Sequence, residues 1–123
     1  MTVVDSSGWV EYFQDGPRAQ AYERYLKRPD LLVPTIVLYE VYKLIRREAS
    51  EEEALVAVAR MKAAQAVPLD EALALEAADL SLAHRLPLAD AVVYASARAH
   101  QALLVTGDQH FRDLPGVEYL ASE

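Results

Sequence analysis

The sequence predicts an α/β chain, a three-layer α/β/α sandwich around a central, mainly parallel sheet. Two observations predict it. Short apolar runs, in "TVVD", "DLLVP", "AVPL", "ALLVTGD" and "GVEYLA", alternate along the chain with segments of helical patterning. The run Ala102–Val105 has the length of a buried strand and is stopped by Gly107. Strands that alternate with helices imply parallel pairing, with helices covering both faces of the sheet.

The elements follow in order. "TVVD" is a β-branched strand that ends in an acid. Ser6 and Ser7 are N-cap candidates for a helix through "GWVEYFQ". Gly16-Pro17 breaks the pattern, and "PRAQAYERYLKR" reads as a second helix with Pro17 in its first turn. "DLLVP" is a strand, and Pro34-Thr35 starts a long helix through "IVLYEVYKLIRRE". Ser50 followed by three glutamates is a capped, acid-enriched helix start, and that helix is expected to run to about Gln65. "AVPL" is a brief strand, Asp70 caps "EALALEAADLSLAHR", and Pro87 opens "LADAVVYASARAH". "ALLVTGD", a short helical turn at "DQHFRDL" and a last strand around "GVEYLA" complete the chain.

A chain of 123 residues is expected to form one domain, 1–123, large enough to bury a core without staples. Its 53% hydrophobic and 25% charged residues are an ordinary globular mixture. There is no cysteine, which excludes disulfides, thiol nucleophiles and cysteine-ligated metal centres. Asp5 and Glu11 stand where a signal peptide would need a basic and then an apolar segment. No stretch approaches the roughly 20 apolar residues of a membrane span. The expected location is the cytoplasm, with no membrane partner. A formal charge of −7 argues against general adhesion to nucleic acid, but not against a nucleic-acid enzyme whose carboxylates gather around dications.

Ligands of open parallel sheets bind outside the carboxyl ends of the strands, and Asp5 and Asp108 both stand at such ends. For either acid alone, turn chemistry and helix capping are sufficient reasons. Glu40 is harder to explain that way. It lies four residues from Ile36 and Leu44 and three from Val37, within the apolar stripe of its helix. An inward carboxylate needs a partner, either an arginine or a cation. Asp90 repeats the pattern among Leu86, Val93 and Tyr94, although an acid in a first helical turn also suits the helix dipole. Four converging carboxylates repel one another, and hard dications such as Mg²⁺ or Mn²⁺ resolve the conflict through oxygen ligands. Ser6 and Thr106 can orient the acids from behind.

At these residues the chain resembles the PIN-domain nucleases, and most closely the VapC-type toxins of toxin–antitoxin pairs. The matching pieces are "VVDSSGWVEYF", "VPTIVLYEVYKL", "LPLADAVVYASARAH" and "LLVTGDQHF", in family order over nearly the whole chain. The resemblance implies a Mg²⁺- or Mn²⁺-dependent endoribonuclease with a PIN-like fold. It implies one or two ions, Asp5, Glu40, Asp90 and Asp108 as catalytic, metal-binding acids, a homodimer and a cognate antitoxin. Many relatives carry a further acid where this chain has His110, so a second ion either draws on Asp113 or arrives with the RNA.

Lys43 and Arg47 continue Glu40's side of its helix and are candidates for RNA phosphate contact, as well as an ordinary solvated helix end. Tyr39 and Tyr42 suit packing better than base stacking, and His84, His100 and His110 lack a paired ligand spacing and read as surface residues. A response receiver is excluded because Asp5 is followed by two serines and no lysine follows Lys62. A phosphatase of the Asp-x-Asp type is excluded by the same segment. The alternative to an enzyme is a non-catalytic PIN-fold module that binds an antitoxin or another protein.

Overall fold

The computed structural model describes residues 1–121; the last two residues of the expected 1–123 span lie outside the described residues. In chain order the elements are β1 (Thr2–Val4), α1 (Ser6–Phe13), α2 (Ala19–Leu26), β2 (Leu31–Pro34), α3 (Thr35–Glu48) and α4 (Glu51–Met61). They continue with β3 (Gln65–Val67), α5 (Glu71–His84), α6 (Leu88–Ala99), β4 (Leu103–Thr106), a 3-10 turn at Gln109–Phe111 and β5 (Val117–Tyr119). The sheet order is β3-β2-β1-β4-β5, and every pairing is parallel. Right-handed crossovers then put α1–α4 on one face and α5 and α6 on the other. The molecule is a three-layer α/β/α sandwich.

This order matters for function. The chain winds from β1 out to β3, then jumps back across β1 to β4, so the β1/β4 boundary is the switch point. The strand ends there carry Asp5 and, two residues beyond β4, Asp108. Val3 and Val4 are wholly buried, each worth roughly 1.5–3 kcal/mol, and this anchors β1, with Asp5 at its end, in the middle of the sheet. Val105, Leu104 and Phe111 do the same for β4 and the turn that follows it. α6 is buried continuously from Ala91 to Ala97. Its middle turns are therefore buried on every side, Ser96 included, and Asp90 emerges at its N-terminal end.

Three boundaries differ from expectation. Strand β1 passes into α1 without an intervening loop, so Asp5 takes the N-cap position and Ser6 and Ser7 lie inside the first turn. Helix α2 begins at Ala19 because Gly16 to Arg18 form a turn, held by Arg18 N–H donating to Glu11 Oε2 at 2.8 Å. Helix α4 stops at Met61, and Gln65 belongs to β3. The caps at Ser50 and Asp70 form as the sequence implies, with their side chains accepting from Glu53 and Leu73 N–H.

Helix α1 can lie against β1 and α2 because Gly8 has no side chain. A Cβ there would stand 2.5 Å from Val4 Cγ1 and 2.6 Å from Tyr22 Cε1. Gly8→Ala is therefore expected to destabilise the protein by about 1–3 kcal/mol, despite alanine's better helix propensity. Urea denaturation measures it, and an unchanged or increased midpoint would contradict this packing.

Candidate functional site

Asp5 is the most buried acid of the site, only 4% exposed. Its two carboxylate oxygens are held separately. The Ser7 hydroxyl donates to Oδ1 at 2.6 Å, and the Thr106 hydroxyl donates to Oδ2 at 2.8 Å. Thr106 Oγ1 in turn accepts the backbone N–H of Asp108 at 2.9 Å. One buried hydroxyl at the end of β4 thus links both acids. Gly107 N–H donates to Ser7 Oγ at 3.3 Å, which ties α1 to the same turn. These hydrogen bonds favour the ionised form, yet burial outweighs them. With the charge of Asp108 added, the carboxyl of Asp5 is pushed from its ordinary 3.8 up to about 6.

Asp90, in the first turn of α6, is pushed up to about 7 by burial and by its contact with Asp108, with Asp5 adding further repulsion. Glu40, midway along α3, is half-buried. Burial raises its pKa and Asp108 raises it further, while a hydrogen bond from Ser6 lowers it. The charge that acts on Glu40 is a like charge, so the arginine pairing that the sequence left open is not what holds it. Asp108 therefore stands within electrostatic reach of all three other acids.

Asp5, Ser6, Ser7, Glu40 and Asp108 line a cavity of about 500 Å³, and Lys43 and Arg47 line it too. Lys43 Nζ is 3.3 Å from the Tyr39 hydroxyl, and Arg47 reaches Glu48 at 3.8 Å. Asp90 joins the group from outside this cavity, through Asp108 and His110. His110 Nδ1 lies 2.9 Å from Asp90 Oδ2 and 2.9 Å from Asp108 Oδ1. Expected to be a surface residue, it is half-exposed but turned onto both acids, because its own backbone N–H donates to Asp108 Oδ1 at 2.9 Å in the 3-10 turn. Asp113 is exposed with φ 69°, and belongs neither to the cavity wall nor to the Asp90–Asp108–His110 group.

Two contributors escaped the sequence reading. Ser7 looked like a helix cap and instead donates to Asp5. Tyr22 is named nowhere among the candidates; burial and Asp5 push its hydroxyl up to about 12, and that oxygen sits 2.8 Å from where a Cβ on Gly107 would lie. No local signal announces Tyr22, since its approach depends on the α1–α2 packing. For Ser7, the signal was its spacing of two from the strand-end acid.

The donor set fits a hard divalent cation. It is rich in carboxylate oxygen, lacks sulfur altogether and carries unneutralised repulsion that a dication relieves. One carboxylate oxygen each from Asp90 and Asp108 and Nδ1 of His110 all lie within 4.8 Å of one another. Carboxylates gathered at the carboxyl edge of a parallel sheet, at its switch point, define an acid-centred α/β/α domain.

The chain belongs to the PIN domain family, whose model matches residues 2–117. Among curated protein sequences no match reaches significance. Solved structures resemble the fold closely. A toxin–antitoxin complex from Klebsiella pneumoniae superposes with a TM-score of 0.82 at 20% identity, covering 96% of each chain. The VapC20 toxin of Mycobacterium tuberculosis, described as cleaving the sarcin–ricin loop, gives 0.81 at 22% identity, covering 96% of this chain and 98% of that one. VapBC2 from Rickettsia felis, bound to a DNA fragment of its promoter, gives 0.75 at 15% identity, covering 99% and 98%. Among the described residues no helix is long and apolar enough to cross a membrane.

Proposed function

We propose that the protein is a Mg²⁺- or Mn²⁺-dependent endoribonuclease, the toxin of a VapC-type toxin–antitoxin pair. Asp5, Glu40, Asp90 and Asp108 are its metal-binding acids. The observation that carries this reading is the shared position of Asp108, whose charge acts on Asp5, Glu40 and Asp90 alike. Membership of the PIN family and the likeness to toxin structures support it. The same reading entails a single domain over 1–123, an antitoxin partner, a homodimer and a cytoplasmic location.

A bound dication supplies Lewis-acid polarisation of the phosphodiester and a water activated near neutral pH. The chain's own residues prepare the site for it. Ser7 and Thr106 hold both oxygens of Asp5, so that acid cannot rotate away from the pocket. Thr106 fixes the turn at Asp108, and Ser6 orients Glu40. Lys43 and Arg47 present positive charge on the cavity wall for phosphates of the RNA strand.

Cleavage of total RNA with mapped ends tests the proposal, comparing wild type with Asp90→Asn. Products with a 5′-phosphate and a 3′-hydroxyl are expected, because water rather than the 2′-hydroxyl is the nucleophile. A 2′,3′-cyclic phosphate, or equal cleavage by Asp90→Asn, would reject the assignment. Replacing both Lys43 and Arg47 by alanine is expected to raise KM roughly three- to tenfold with little change in kcat, since these groups bind substrate and transition state alike. A loss confined to kcat would move them into the chemistry instead.

A further inference from the structure

We propose that His110 is itself a ligand of the dication held by Asp90 and Asp108, and that it biases this site toward Mn²⁺ over Mg²⁺. The inference rests on the proposed function, since it concerns the same site.

The geometry is that of a half-built coordination sphere. His110 Nδ1 stands 2.9 Å from one oxygen of Asp90 and 2.9 Å from one oxygen of Asp108. With octahedral metal–ligand bonds of about 2.1 Å, adjacent ligand atoms are separated by √2 times that length, about 3.0 Å. The observed spacings match such neighbouring ligands, and the three donor atoms come from three different residues.

The ring is also held in place. Backbone N–H of His110 donates to Asp108 Oδ1, the same oxygen that Nδ1 approaches, so the 3-10 turn delivers the imidazole onto the acids. Ligation needs a lone pair on Nδ1 and therefore a proton on Nε2. The His110 side chain is 55% exposed, which lets solvent hydrate that outward N–H without cost.

The chemical consequence concerns which ion binds. Mg²⁺ demands oxygen donors and dehydrates reluctantly, whereas imidazole nitrogen suits the first-row transition metals. A nitrogen donor beside two carboxylates also lowers the site's negative charge by one relative to a third acid. The change in charge acts on both dications alike, so it is the nitrogen donor that favours Mn²⁺ relative to Mg²⁺.

Pulsed EPR of the full chain loaded with one equivalent of Mn²⁺ tests the proposal. Wild type is expected to show ¹⁴N modulation from a directly bound imidazole, and labelling with ¹⁵N-histidine is expected to convert it to the ¹⁵N pattern. His110→Ala is expected to lose the modulation and to bind Mn²⁺ roughly tenfold more weakly. His110→Asp is expected to keep Mn²⁺ without nitrogen coupling and to lower the Mn²⁺-to-Mg²⁺ affinity ratio by about tenfold. If His110→Ala does not fold, a histidine signal that survives both His84→Gln and His100→Gln assigns the nitrogen to His110. A signal lost in either of those variants overturns the proposal. Mn²⁺ bound to wild type without histidine coupling also overturns it, and leaves the dication site standing. Wild type that binds no Mn²⁺ overturns the proposed function as well.

Discussion

Asp5→Asn is expected to make the metal-free protein more stable at pH 7.5 and to remove RNA cleavage at the same time. The two effects have one cause. Burial and the charge of Asp108 push the Asp5 carboxyl up to about 6, so at pH 7.5 the native state holds an ionised group it would rather keep neutral. The shift from 3.8 to about 6 corresponds to roughly 3 kcal/mol of strain on the charged form. Asparagine keeps the shape and removes the charge. One of its polar atoms accepts from Thr106, and the Ser7 hydroxyl can rotate to accept from the other. Allowing for imperfect hydrogen bonds, we expect a gain of about 1–2 kcal/mol, or roughly 3–10 °C in Tm. Cleavage should fall at least about a hundredfold, since the proposed dication site loses one of its carboxylates. Thermal melts in EDTA and RNA cleavage on the same preparation check both signs. A variant less stable than wild type would show that the carboxylate is satisfied where it sits, and the repulsion argument would fail.

The second large effect is a dependence of stability on pH that metal reverses. Asp5 and Asp90 keep their protons up to about 6 and about 7 in the folded chain, whereas in the unfolded chain they ionise near 3.8. Between those values the native state binds more protons than the unfolded state, so stability falls as pH rises. The stabilisation is complete below the unfolded value and is lost as pH passes through the folded ones. Glu40 shifts in the same direction. Asp30 shifts the other way, through its contact with the terminal amine, and its contribution is lost at more acid pH, outside this window. Urea denaturation in EDTA is therefore expected to give a lower midpoint at pH 7.5 than at pH 5. Millimolar Mn²⁺ should restore the midpoint at pH 7.5, by about 2.7 kcal/mol once the ion reaches a hundred times its Kd. Metal-free stability that rises over this range would mean the acids are neutralised by something other than a dication.

Much of this was legible in the chain itself. The alternation of apolar runs with helical segments specified the α/β layers, because strand and helix periods are written locally. Glu40 and Asp90 stood out because each interrupts an apolar stripe, and a lone charge on such a face is costly enough to need a reason. Asp5 and Asp108 were visible as strand ends. Their meeting was implied only through the family resemblance, because it depends on β4 pairing directly with β1 rather than on either strand alone. Thr106 depends on the same pairing. Its hydroxyl serves an acid 101 residues earlier, and no local pattern encodes that distance. His110 read as a surface residue because a spacing of two from Asp108 has no helical meaning, whereas a 3-10 turn folds it back onto that acid and onto Asp90.

The sequence by itself determined which acids are expensive to place and which elements carry them, since burial and periodicity act over a few residues. Only the tertiary structure decided that those acids share one site, because strand order is set by packing the whole sheet between its helix layers. The winding away from β1 and the return to β4 bring four distant carboxylates to one edge. Their charges then meet in a partly dry environment that a single stretch of chain could not create.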